Sequence, residues 1–346
     1  VKKALLLGLS LAATSIASAQ EEAKKEEVKK EEVIVVASTK EPKRIYDLMY
    51  LPVQGTFFGS TGFGGKSSTT NYQYLLRDFL KVESRESTLE QSLGYSFTST
   101  TMAGLSVAYQ YDSEIKNAYG PGSTLNGTHT KSVKMKGLKD PYIFMRHRFS
   151  EAENDSGRDI DLYLSLSPKT GDSKIATTTL EGNAKRGASE LNLAIDIGQK
   201  RADSAWTARF AFQGVTEATV VDAGDPADKT IAEAYGLLLG EFKYQFIFNP
   251  KFALNLGAGL GVLGERKQNN TDQEFKNVYD STGLVTLALD LVFTPAENFS
   301  FIFAMKGMGI MEHDLKQTDL SDGSVTTLTV EQDSKGEAFL GMAYQF

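Results

Sequence analysis

The feature that most limits what this chain can fold into is a strict two-residue alternation of apolar and polar side chains, repeated in segment after segment. Leu191, Leu193, Ile195 and Ile197 alternate with Asn192, Ala194, Asp196 and Gly198. Ile160, Leu162, Leu164 and Leu166 alternate with Asp161, Tyr163, Ser165 and Ser167. Phe242, Tyr244, Phe246 and Phe248 alternate with Glu241, Lys243, Gln245 and Ile247. A period of two sends the two sets to opposite faces of a strand, whereas a helix needs a period near 3.6. The fold class is therefore all-β. A soluble sandwich hides its apolar face and wets its polar one. A membrane barrel turns its apolar face to lipid and its polar face to a lumen.

Spacing favours the barrel. About twelve alternating segments are legible, at 52–64, 86–97, 102–112, 140–149, 159–167, 188–199, 204–214, 233–248, 251–263, 281–293, 299–309 and 336–346. Ten or fourteen also fit, because the first is Gly-rich. Short connections follow the even segments, among them Asn249-Pro250 and Thr294-Pro295-Ala296-Glu297, and longer polar ones follow the odd. An even number of antiparallel strands with short turns at one end and longer loops at the other is the pattern of an up-and-down transmembrane barrel. Closing the sheet also satisfies every backbone group, which hydrocarbon demands. Aromatics gather at the short-turn ends, at Tyr95, Phe97, Phe149, Trp206, Phe246, Phe248, Phe293, Phe299, Phe301 and Phe346, where an interfacial girdle belongs.

The N-terminal residues set the expected compartment. Lys2 and Lys3 precede an apolar run and the small-residue pattern Ala17-Ser18-Ala19, which reads as a secretory signal peptide over residues 1–19. Residues 20–50 read as a charged periplasmic extension, opening with the tract EEAKKEEVKKEE, and residues 51–346 as the barrel. The chain has no Cys, so a packed core or a closed sheet rather than disulfides must hold it together. Its formal net charge of −7, made more acidic by loss of Lys2 and Lys3 with the leader, argues against nucleic acid as a partner. The expected location is the outer membrane of a Gram-negative bacterium, with both termini periplasmic and the lipid bilayer as the first partner.

Motifs that mimic chemistry do not survive their context. Gly259-Leu260-Gly261-Val262-Leu263-Gly264 matches a dinucleotide fingerprint, but it lies in an alternating strand with no following helix. The histidines, His129, His147 and His313, lack metal-ligand spacing. No cofactor, metal site or catalytic constellation is expected, and the chain reads as a non-enzyme. The polar faces of the strands carry the functional signal. The lumen-lining candidates are Glu90, Asp112, Arg146, Arg148, Asp161, Glu190, Asp196, Arg209, Glu241, Lys243, Asp290, Lys306 and Glu337. A charged interior fits a water-filled path for a small solute, and the acidic excess suggests a mild cation preference.

Three stretches resemble known families. Leu340, Met342, Tyr344 and Phe346 share one face of the last strand, and this pattern resembles the signal by which outer membrane barrels engage the barrel assembly machinery. Glu31-Glu32-Val33-Ile34-Val35-Val36-Ala37-Ser38 resembles the TonB box of energised outer membrane receptors, which would imply TonB as a partner. Those receptors carry a plug of over a hundred residues and a 22-stranded barrel, and only a few residues separate Asp47 from the first strand here. Gly137-Leu138-Lys139-Asp140-Pro141 through Phe149, followed by Leu166-Ser167-Pro168-Lys169-Thr170-Gly171-Asp172, resembles the outer membrane proteins named for the meta-pathway of phenol degradation. Lys139 stands where that family has Gly, and Lys169 is inserted within its Pro-Thr-Gly-Asp turn. The resemblance implies a barrel transporter of small apolar or aromatic compounds. A non-conducting structural or surface-interaction barrel and a TonB-coupled transporter remnant are the alternatives.

Overall fold

In a computed structural model, the described residues are 47–124, 127, 129–131, 135–152, 157–175, 181–222, 224–225, 228–270 and 274–346. The signal peptide, the charged tract and the TonB-box-like stretch lie outside them. The remaining chain forms a closed antiparallel barrel of twelve strands. These are β1 (Phe57–Tyr74), β2 (Arg77–Ser96), β3 (Thr101–Tyr119), β4 (Tyr142–Ser150), β5 (Asp159–Ser167) and β6 (Glu190–Lys200). There follow β7 (Ser204–Val215), β8 (Tyr235–Asn249), β9 (Phe252–Leu263), β10 (Thr282–Ala296), β11 (Phe299–Ile310) and β12 (Val325–Gln345). Each strand pairs with its neighbour in sequence, and β1 closes on β12, with Phe58 opposite Gln345 and Lys66 opposite Glu337. The hydrogen bonds Phe57 N→Phe346 O and Phe346 N→Phe57 O, at 2.8 and 2.9 Å, seal the turn end of that seam.

The alternation sorts as the sequence requires. Leu93, Leu105, Ile143, Ile195, Phe210, Leu260 and Leu287 stand exposed on the outer wall. So broad an apolar surface needs hydrocarbon around it. At the turn end, aromatic rings from adjacent strands meet, as in Phe252–Phe293 and Phe57–Tyr95, whose centroids lie 4.7 and 4.9 Å apart. Leu340 and Phe346 remain exposed on the outer face at 61% and 68%. Tyr344 shares that face, and its ring lies against Gly59.

Two expectations about the loop end are corrected. The stretch 65–85 is not a loop. Strands β1 and β2, of 18 and 20 residues, form one hairpin with a two-residue turn at Leu75-Leu76. A membrane needs only about 9–11 residues per strand, so the hairpin stands well clear of it. The stretches 115–119, 313–319 and 325–333, which the segment bounds above leave in polar connections, likewise continue as strand. Shorter strands prolong the wall. His313–Asp319 pairs with β12 and with Phe275–Tyr279, which pairs with Arg266–Asn270, which pairs with Lys229–Ala232. An apolar cluster of Leu315, Leu328 and Val330, with Tyr72, Tyr74, Phe79 and Tyr279, holds this rim together.

Candidate lumen site

The register places one charged ring around the middle of the inner face. Rows of facing residues run Asp161–Asp196–Arg209–Glu241 across β5 to β8, and Lys306–Glu337–Lys66–Glu86 across β11, β12, β1 and β2. Neighbouring charges pair. Arg209 Nε donates to Asp196 Oδ1 at 2.7 Å, Lys306 Nζ lies 2.8 Å from Glu241 Oε1, and Lys66 Nζ lies 3.1 Å from Glu337 Oε1. Lys243 Nζ stands 3.5 Å from Asp290 Oδ2. Nearer the turn end, Arg148 grips Asp161 with Nε at 2.7 Å and Asp159 at 3.3 Å, while Arg146 reaches Asp161 at 2.6 Å. Nearer the loop end, Glu190 accepts from Arg186, Tyr142 and Asn192. Glu90 lies on the inner face and accepts from Thr88 Oγ1 at 3.3 Å.

Asp112 is the exception among the lumen candidates. The register between β2 and β3 shifts between Ser87 and Thr88, so Gln110 pairs with Thr88 on the inner face while Asp112 pairs with Ser87 on the outer face. One bulged residue flips everything beyond it. The inner face is also less uniformly polar than expected. Toward the loop end, Leu263, Leu284 and Ile310, with Leu237, Leu239 and Met308, make a buried apolar patch on β8 to β11. The run Leu237-Leu238-Leu239 carried that signal, since consecutive leucines in a strand occupy both faces.

Sequence reasoning missed the segment 47–53, which lies across the turn end of the lumen. Met49 and Leu51 are buried, at 6% and 7% exposure, although no strand contains them. Walls all round the barrel hold the segment. Lys200 Nζ of β6 is 2.7 Å from Asp47 Oδ2, and Leu48 N donates to Gln245 Oε1 of β8 at 3.4 Å. Arg148 of β4 donates to the Met49 carbonyl, and Tyr50 donates its hydroxyl to Gln345 of β12. Ser96 Oγ of β2 donates to the Pro52 carbonyl at 3.1 Å. Tyr50, like Ala304, packs against the cluster of Ile302 and Ala343. The short apolar block Leu48–Leu51 was the available signal, but its partners lie up to 295 positions away.

Above this segment lies a cavity of about 570 Å³, lined by Met49, Tyr50, Phe58, Met102, Phe144, Arg209, Lys243 and Lys306 among others. A second cavity, of about 530 Å³, shares Met102, Phe144, Arg209, Glu241 and Lys306 and reaches Tyr142, Leu237 and Leu239. These two cavities adjoin as chambers of the lumen beside charged side chains of the ring.

The two stretches that carried the phenol-degradation resemblance meet at the loop end. Asp140 is 4% exposed. It accepts from Thr170 N at 3.1 Å, from the Thr170 hydroxyl and from Arg186 N at 2.8 Å, with Lys185 Nζ 3.9 Å away. Burial opposes its ionised form, but these donors and Lys185 outweigh burial and hold its carboxyl below the usual range.

No model of a known protein family matches the chain, and no curated protein matches it. Among solved structures it is similar to an outer membrane channel from Pseudomonas putida F1, with a TM-score of 0.51 and 13% identity over 86% of this chain and 97% of that one. This likeness shows a shared barrel fold. The outer membrane protease OmpT from Escherichia coli (7% identity, 87% of this chain and 100% of that one) and a Pseudomonas aeruginosa FadL homologue (10%, 84% and 90%) score 0.41 and 0.39.

Proposed function

We propose that the protein is an outer membrane channel through which small solutes pass passively. The observation that carries this reading is the inside-out wall: an apolar exterior around a charged inner face that encloses two adjoining chambers. A membrane barrel whose interior served only packing would fill it with side chains. The apolar patch of Leu237, Leu239, Leu263 and Leu284 supports small apolar or aromatic compounds as the solutes, as does the phenol-degradation resemblance. In this reading the C-terminal strand, through Leu340, Met342, Tyr344 and Phe346, serves barrel assembly, and the N-terminal extension stands in the periplasm.

The test is solute entry into liposomes carrying the refolded full chain, with folding checked by heat-modifiable gel mobility. Entry above empty liposomes is expected. Folded protein that admits no solute overturns the reading. A second reading, a barrel that stays closed until the segment 47–53 is displaced, is favoured by the buried Met49 and its cross-lumen bonds. TonB pulling on Val33–Ala37 would be one means of displacement, and loss of TonB capture on deleting those residues would test it.

A further inference from the structure

Three ion pairs lining the first cavity are lopsided in depth, whereas Lys66 and Glu337 are about equally exposed. Arg209 is 38% exposed and its partner Asp196 4%; Lys306 is 37% exposed and Glu241 12%; Lys243 is 34% exposed and Asp290 16%. Aspartate is short and stays at the wall, whereas lysine and arginine carry their charge several bonds farther inward. At these three pairs the charges are sorted by radius. The acids lie flush with the sheet, and the cationic heads face the water. A solute in the chamber meets ammonium and guanidinium groups first, whatever the formal count of charges.

Glycines focus these heads on one spot. On the inner face, Lys243, Gly257, Ala288 and Lys306 form one row across β8 to β11, and Glu241, Gly259 and Thr286 form the next. A Cβ on Gly257 would come within 2.9 Å of Lys243 Cγ, and one on Gly259 within 2.7 Å of Glu241 Cγ. The stems of Lys243 and Glu241 thus lie over bare backbone, and Lys306 reaches across two strands to Glu241. Gly259, the first glycine of the run that mimicked a dinucleotide fingerprint, makes with Gly257 the floor on which these side chains lie.

The wall across the chamber is aromatic. Phe58 of β1 lies over Gly94 and Phe144 of β4 lies over Gly104, close enough that a Cβ on either glycine would fall within 2.6 Å of the ring. The two rings are 6.2 Å apart and line the same cavity as Met102, Arg209, Lys243 and Lys306.

From this arrangement we infer that the chamber is a binding site for small aromatic carboxylates. The ring rests against Phe58, Phe144 and Met102, and the carboxylate faces Lys243, Lys306 and Arg209. Lysine has three donors, so each ammonium keeps its wall carboxylate and still donates to a ligand. An organic cation finds the acids already paired and screened. This inference runs against the cation preference that the acidic composition suggests. It rests on the reading of the lumen as a solute path and names the solute class.

The test is calorimetric binding of sodium benzoate, benzyl alcohol and benzylammonium to the full chain in detergent micelles. Benzoate should bind tighter than the other two by about tenfold or more, the worth of a charged hydrogen bond. Two charge-neutral double variants, Lys306→Gln with Glu241→Gln and Lys243→Gln with Asp290→Asn, should each weaken benzoate by about tenfold and leave benzyl alcohol unchanged. Benzylammonium binding as well as benzoate overturns the inference, and so does benzoate binding unaltered in both folded double variants. The three-probe comparison on the unmodified protein decides the matter even if a variant does not fold. Benzoate binding without solute entry into liposomes removes the channel and leaves the site. Solute entry with no preference for benzoate does the reverse.

Discussion

Asp140 shows how a single residue can serve two stretches of sequence. It sits in Lys139-Asp140-Pro141, and its carboxylate is a hub for donors from Thr170 and Arg186. Asp140→Asn keeps the shape but loses the charge and one acceptor oxygen, and should destabilise the barrel by about 1–3 kcal/mol. Its carboxyl titrates below the ordinary value when folded, so below that ordinary value the unfolded chain binds more protons. The stability it supplies is complete above about pH 5, and is lost as pH falls through about 4 and then through the lower folded value. Urea unfolding in lipid vesicles at pH 7 and pH 3 checks this. The unmodified protein should lose more stability on acidification than the Asn variant, and equal losses would refute the assignment. The resemblance drew attention to these two stretches in the sequence. Their contact was not legible there, because 30 positions and two whole strands separate Asp140 from Thr170.

At the scale of elements, legibility followed the solvent. Where strands run through hydrocarbon, one face must be apolar and the alternation is plain. Beyond the membrane both faces are wet, so Lys66-Ser67-Ser68-Thr69-Thr70-Asn71 looks like a loop and is strand. The turn of that hairpin is also disguised. Leu75 and Leu76 adopt φ of 49° and 63°, where Asn-Gly is the usual choice, and both are exposed. Left-handed conformation strains a residue with a Cβ by about 1–2 kcal/mol. Replacing the pair with Asn-Gly should therefore raise stability by about 1 kcal/mol or more, measured by urea midpoint. The segment 47–53 was hidden for a different reason. It is held by polar side chains of five strands rather than by any pattern of its own. A chain starting after residue 53 should conduct about twofold or more better in planar bilayers than the full chain, because a polar-lined path widens. Unchanged conductance would show that the segment does not limit flow.

For the whole molecule, the defining property is inversion: charge inside, hydrocarbon outside. Ala194 and Ile195 are adjacent on β6, one 3% exposed inside the barrel and the other 47% exposed outside. A soluble sandwich would reverse their tolerances, accepting charge at the exposed site. In a bilayer, Ile195→Arg places a guanidinium near the hydrocarbon midplane, which costs about 2–4 kcal/mol. Gln213 and Asn192 show that the inner face of the same strands accepts polar groups. The paired change Ile195→Leu should be nearly neutral, within about 1.5 kcal/mol, since volume and polarity are kept. Reversible unfolding in vesicles measures both. The Arg penalty should shrink in a thinner bilayer or in detergent, where water reaches the site. If Ile195→Arg were tolerated in vesicles as well as Ile195→Leu, the outer wall would not be facing lipid, and the lumen and its chambers would lose their meaning as a path.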